Sequence, residues 1–306
     1  MVPGPFEPFA RDLAPGERAM TVGAWSSLSL ETIREGSGES FEEAWGRLWR
    51  EFGERGEMES RQVLARRLAR DPRRPTAAGL GLLYELFAVR AEGRLVAVRD
   101  HTAIVVPRRS AAAGPLAVVH LSHIVIEEEW RGRGLAAPLR ALPVDAARKA
   151  LAAAGVPDTD AVPVTLVAEM ETGDDREAAR RRLSYLRAGF RMVDPRVGYL
   201  QPDFRAEDAI RQAGPRPVPL ALVIRRIGRE QEESIDGAEL HGLVDAVHAM
   251  FAVDVCEQAM RPVREAAARM PGRGEKVALL GLDAAAEIPR SAVAVDAAAA
   301  ASKQVR

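Results

Sequence analysis

Residues Arg131-Gly132-Arg133-Gly134-Leu135-Ala136 combine two features that suit an anion. Glycines one residue apart let a backbone approach a bulky or charged group with no Cβ in the way. The alanine- and leucine-rich stretch that follows has the composition of a helix, so the amides of this run would point out of a helix N-terminus, which favours a phosphate. An apolar run ends at Ile126, and Glu127, Glu128, Glu129 and Trp130 separate it from the glycines. Strand, glycine-containing turn and helix in that order make a phosphate-binding arrangement, and two kinds of phosphate compound use it.

Gly132-x-Gly134-x-x-Ala137 fits the dinucleotide fingerprint, which also needs an acid about 20 residues on for the ribose. That far along the chain reads KALAAAGVP, and several elements precede the motif, so a dinucleotide-binding oxidoreductase is the weaker reading. Read from Arg131, the same residues fit [QR]-x-x-G-x-[GA]. They resemble the acetyl-coenzyme A signature of the GCN5-related N-acetyltransferase (GNAT) superfamily. Some fifty residues later Tyr185-Leu-Arg-Ala-Gly189-Phe190 resembles the Y-x-x-x-G-F ending of that family's fourth helix. The resemblance covers about residues 20–228.

The resemblance implies an acyl-CoA-dependent N-acyltransferase, with acetyl-CoA as cosubstrate, no metal, and an amine acceptor the sequence does not name. The pantetheine arm would lie along the strand 120–126, at Ile124, Val125 and Ile126, and the pyrophosphate on the amides of Gly132, Arg133, Gly134, Leu135 and Ala136. Arg131 and Arg133 would stand beside the phosphates. Tyr185 is the family's general acid for the departing thiolate. An amine with pKa near 10 is mostly protonated at neutral pH, so a base must also help. The candidates are His120, which shares a strand face with Ser122, and Glu169 and Glu171, which share a face of the next strand. A member of the same fold that binds acyl-CoA without catalysis would keep the phosphate run; only the acid and base separate the two readings.

These residues need a scaffold. Ser40-Phe-Glu-Glu43 reads as a capping box, followed by a stripe of Trp45, Leu48, Trp49 and Phe52 at helical spacing. A second short helix is expected over 58–70. Runs at 82–90, 95–107 and 116–126 read as strands rich in Val, Ile and Leu. A helix from about 134 to 154 follows, interrupted by Pro138 and Pro143, then a strand at 162–171, a helix at 175–188 with Asp174 and Glu177 as a second capping box, and strands near 190–200 and 219–227. The order predicts an α/β (mixed α+β) fold: a GNAT-like central mixed, mostly antiparallel sheet flanked by helices, with a C-terminal helical appendage. The segments expected are a loop-rich stretch with a first strand over 1–39, the acyltransferase core over 40–230, the appendage over 231–290 and a low-complexity tail over 291–306.

In the appendage Leu240, Leu243, Val244, Val247 and Phe251 form one apolar stripe that either the core or a second subunit must cover, and a homodimer is the expectation carried forward. His241, Asp245 and His248 share a flank of the same helix; a zinc site would want a further ligand, so a polar flank is expected. Cys256 is the only cysteine, read as a small buried hydrophobe. A net charge of −1 gives no field to draw nucleic acid or an anionic membrane. With no apolar run near the ~20 residues of a membrane span and no basic, apolar leader, a cytoplasmic address is expected.

Overall fold

The computed structural model describes residues 4–5, 11–17, 25, 27–106, 114–173 and 176–282. The chain divides into two compact units at Leu166/Val167. The expected tail, and Asp174 of the second capping box, lie outside the described residues.

The first unit is an antiparallel meander. β1 (Gly4–Pro5) pairs with β2 (Leu28–Ile33), β2 with β3 (Gly81–Ala91), β3 with β4 (Arg94–Val106), and β4 with β5 (Leu116–Ile126). The β3–β4 turn puts Glu92 and Gly93 in left-handed backbone, and the strands on either side alternate faces. One face carries Tyr84, Leu86, Val98 and Val125 and buries them against Phe41, Ala44 and Leu48 of α1 (Glu39–Phe52) and Leu64 of α2 (Arg61–Leu68). The other face carries Val89, Val96 and Ala97 against Leu135, Ala137, Leu139 and Ala141, the last three in α3 (Ala136–Ala153). This antiparallel order is not the parallel βαβ sheet of a dinucleotide fold.

α1 begins two residues earlier than its expected capping box. Gly38, at φ 92°, is the N-cap and no side chain caps the helix. Ser40 bonds instead to the Glu31 carboxylate, a partner from β2 that local sequence cannot reveal.

In the second unit β6 (Val164–Met170), whose last four residues belong to it, is followed across the sheet by β10 (Ala221–Arg226), β7 (Arg191–Val193), β12 (Lys276–Leu280) and β11 (Ser234–Asp236). The β10–β7, β7–β12 and β12–β11 pairs are antiparallel. β8 (Leu200–Gln201) and β9 (Val218–Pro219) form a separate two-stranded ladder. The helices are α4 (Arg176–Arg187), α5 (Glu207–Ala213), α6 (Gly237–Phe251) and α7 (Glu257–Ala267). The boundary expected at 230/231 therefore does not coincide with a division of the fold. β12 pairs Leu279 with Val193, which knits the expected appendage into the same sheet as β7. Leu240, Leu243, Val244 and Val247 of α6 face Val167, Leu222 and Ile224, so the unit's own sheet covers the stripe. Cys256 is half-buried at the N-cap of α7, not a core residue.

Candidate functional site

β5 ends at Ile126 and the chain crosses to α3 in nine residues, 127–135. Gly132 and Gly134 both take left-handed backbone, with φ 76° and 80°. Such angles cost an L-residue with a Cβ about 1–2 kcal/mol, so glycine is required by the turn itself. A Cβ built on Gly132 would meet nothing within 4 Å, which leaves the space in front of it open. The chain turns continuously over 131–135 before α3, and the amide of Ala137 bonds back to the Gly134 carbonyl at 3.1 Å. The start of an 18-residue helix presents amide donors and the positive end of its dipole, a candidate cradle for an anion.

The flanking charges hold the cradle more than they extend it. Glu127 is paired with Arg47 of α1, and Glu129 with Arg94 at 2.6 Å. Arg131 donates from Nε to the Ile126 carbonyl at 3.0 Å, closing the turn onto the strand end. The Arg133 guanidinium lies over the Trp130 ring, 5.3 Å from its centre, and Trp130 packs on the α3 side of the sheet. Ile124 and Ile126 face that same side, whereas Val125 faces α1.

β5 also carries a bulge. Asp100 pairs with His123 and Thr102 with His120, so Leu121 and Ser122 stand opposite His101 alone. His120 is buried, with Nδ1 3.2 Å from the Ser122 hydroxyl, but the bulge puts it on the face of Thr102, Asp100 and His123, not on that of Ile124 as strict alternation predicts. His123, on the α1 side, belongs to a constellation that sequence reasoning missed. The Tyr84 hydroxyl donates to Asp100 Oδ2 at 2.9 Å, the His123 amide donates to Oδ1 at 2.8 Å, and His123 Nδ1 lies 3.0 Å from Oδ1. Burial opposes charge on both groups, but the facing imidazole holds the Asp100 carboxyl down to about 2 and the carboxylate in turn raises His123. An Asp and a His 23 residues apart give no local signal; only the β4–β5 register brings them together.

In the second unit the candidates separate. Glu169 of β6 accepts from the Tyr199 hydroxyl and, on its other oxygen, from Gln201 Nε2 at 2.7 Å. Burial and the Glu169 carboxylate push the Tyr199 hydroxyl well above its usual range. Glu171, just past the end of β6, pairs with Arg181, and its carbonyl accepts from Arg182 at 2.8 Å. Tyr185 is half-buried with its ring edge-on to Phe190, centres 4.9 Å apart. The His241, Asp245, His248 flank of α6 disperses: His241 meets the Pro271 carbonyl at 2.9 Å, Asp245 meets Arg273, and His248 is buried and stacked on Tyr199. His248 is thus not part of a solvated flank, and burial lowers it. Among the described residues no group of three or more His, Cys, Asp or Glu could hold a metal ion, and no helix is long and apolar enough to cross a membrane.

No protein-family model matches the chain, and no curated protein sequence matches it. Among solved structures it is similar to the ribosomal-protein-S18-alanine N-acetyltransferase from Escherichia coli, at 14% identity over 65% of this chain and 94% of that one, with a TM-score of 0.32. A likeness of that size carries neither a family nor an activity to this chain.

Proposed function

We propose that the protein is an acyl-CoA-dependent N-acyltransferase that moves an acetyl group from acetyl-CoA directly to an amine. The observation that carries this reading is the turn at the start of α3, where Gly132 and Gly134 both take left-handed backbone and open space lies before Gly132. A pyrophosphate offers acceptor oxygens and negative charge together, which matches both the donors and the helix dipole. The cosubstrate supplies the activated thioester. In this reading the cradle binds the pyrophosphate and the residues 124–126 line the pantetheine arm. Tyr185 supplies the proton for the leaving thiolate, the role its motif resembles. The acceptor is an amine of unassigned identity, and no metal takes part.

A second reading, an acyl-CoA sensor of the same fold, is favoured by one observation. Tyr185 has a structural role at the end of α4, where its carbonyl accepts from Phe190 and its ring packs on that residue.

Calorimetry with coenzyme A on Gly132→Asn tests the shared part of both readings. Asparagine tolerates left-handed backbone, and open space surrounds the new side chain. The fold should survive while affinity falls at least about tenfold (~1.4 kcal/mol). An unchanged affinity, or a wild-type chain that binds no coenzyme A, refutes the cradle.

A further inference from the structure

We propose that His123, oriented by Asp100, is the group that takes the proton from the acceptor amine. The inference rests on the acyltransferase reading above and names its base, which is none of the residues the sequence nominated.

Asp100 is fully buried and ionised, and an ionised carboxylate can only accept, so His123 Nδ1 carries a hydrogen towards it. The neutral ring then keeps its lone pair on Nε2. That atom faces the Glu57 carbonyl, in the connection between α1 and α2, 3.5 Å away, a long contact that favours the protonated ring and that an incoming amine must displace. The carboxylate behind the ring raises its proton affinity, and the Tyr84 hydroxyl and the His123 amide fix the carboxylate. The other groups around the ring are the Phe52 ring, 4.8 Å away on α1, and Glu59, which is paired with Arg67 of α2. His123 also immediately precedes 124–126, the stretch assigned to the pantetheine arm.

The rival bases are already engaged. Both Glu169 oxygens accept hydrogen bonds, which favours the unprotonated carboxylate and weakens it as a base. Glu171 is held by Arg181, and the Nδ1 of His120 meets a neutral hydroxyl, that of Ser122, where the Nδ1 of His123 meets a carboxylate.

In the step itself the amine nitrogen bonds to the thioester carbon while the carbon–sulfur bond breaks, its electron pair leaving on sulfur. The surplus proton of the amine passes to His123 Nε2. The thiolate then takes a proton from an acid or from water. His123 is 8% exposed, so the amine must reach Nε2 past the Glu57 carbonyl and the Phe52 ring.

The experiment measures coenzyme A release from acetyl-CoA against pH with spermidine, L-lysine, 2-phenylethylamine and an alanyl peptide. It compares wild type with His123→Gln, Asp100→Asn and Tyr84→Phe, and calorimetry with acetyl-CoA is run on each. Affinity should stay within about twofold, because none of the three touches the cradle. His123→Gln should lower kcat by about 10²–10⁴ and erase the acid limb of the profile. Asp100→Asn removes the charge that raises His123, so the limb should move to lower pH. Tyr84→Phe frees the carboxylate of one donor, so it should move the limb the other way; this conservative change also serves if the buried variants fail to fold. Opposite shifts are not produced by a merely structural role. A His123→Gln enzyme with kcat within about threefold and an unmoved limb, or an unmoved limb in both of the other variants, overturns the proposal while the acyltransferase reading stands. A wild type that binds acetyl-CoA but acetylates none of the amines, or does not bind it, overturns both.

Discussion

At Tyr185 the ring and the hydroxyl answer to different constraints. The ring packs edge-on against Phe190, a contact worth about 0.5–1.5 kcal/mol beyond its burial. Tyr185→Phe keeps the ring and that contact, so urea unfolding should show a loss of no more than about 1.5 kcal/mol, the worth of one hydrogen bond. If the hydroxyl protonates the thiolate, the same change should cut kcat by about 10², the low end for a positioned acid, since a thiolate is already a tolerable leaving group. The acetyl-CoA KM should hold, because the bond lost is one made only in the transition state. The alkaline limb of the rate profile should vanish with it. Full kcat and an unchanged limb would show Tyr185 to be packing alone and would favour the sensor reading.

The motif around that tyrosine makes physical sense one scale up, as the end of α4. The Phe190 amide donates to the Tyr185 carbonyl at 3.1 Å and the Gly189 amide to the Leu186 carbonyl at 3.1 Å, while Gly189 sits at φ 78°. These are the two bonds of a Schellman cap, and the Tyr185–Phe190 contact is its hydrophobic clasp. A Cβ on Gly189 would meet the Glu230 side chain at 3.5 Å and Arg225 Nε at 3.9 Å, both ordinary contacts. Gly189→Ala should thus cost only the left-handed strain, about 1–2 kcal/mol, and Gly189→Asn less. Urea unfolding of the two variants gives the comparison, and equal costs would mean the cap is not what glycine serves. The α3 end obeys the same backbone rule for a different purpose. There the left-handed glycines lead into a helix start instead of closing a helix end, and Arg47–Glu127, Arg94–Glu129 and the Arg131 bond to Ile126 hold the turn in place.

For the molecule as a whole, the fate of the α6 stripe decides what its apolar residues are for. Leu240, Leu243, Val244 and Val247 are each at most 2% exposed in the single chain. They need no second subunit to leave water. Leu243→Ala should cost about 2–5 kcal/mol of stability through the cavity it opens. Its sedimentation coefficient at micromolar concentration should match that of the wild type, whatever the wild-type oligomer is. A drop from dimer to monomer in the variant would place the stripe at a subunit seam instead.

Element types were largely legible in the chain because they depend on short-range patterning. β5 spans the 116–126 run read from its Val and Ile content, and α4 closes at the Gly189 that its composition marked. The glycine turn before α3 was legible for the same reason: two glycines at that spacing permit a left-handed backbone that other residues rarely adopt. Where a neighbour in space competes with a neighbour in sequence, the chain alone misleads. Ser40 turned to Glu31, His248 went under Tyr199, and the 231–282 stretch joined a sheet instead of standing apart. The Asp100–His123 pair belongs wholly to the tertiary structure. A strand register, offset by a bulge, brings a carboxylate and an imidazole within hydrogen-bond reach, and the low dielectric of their burial makes each set the other's charge.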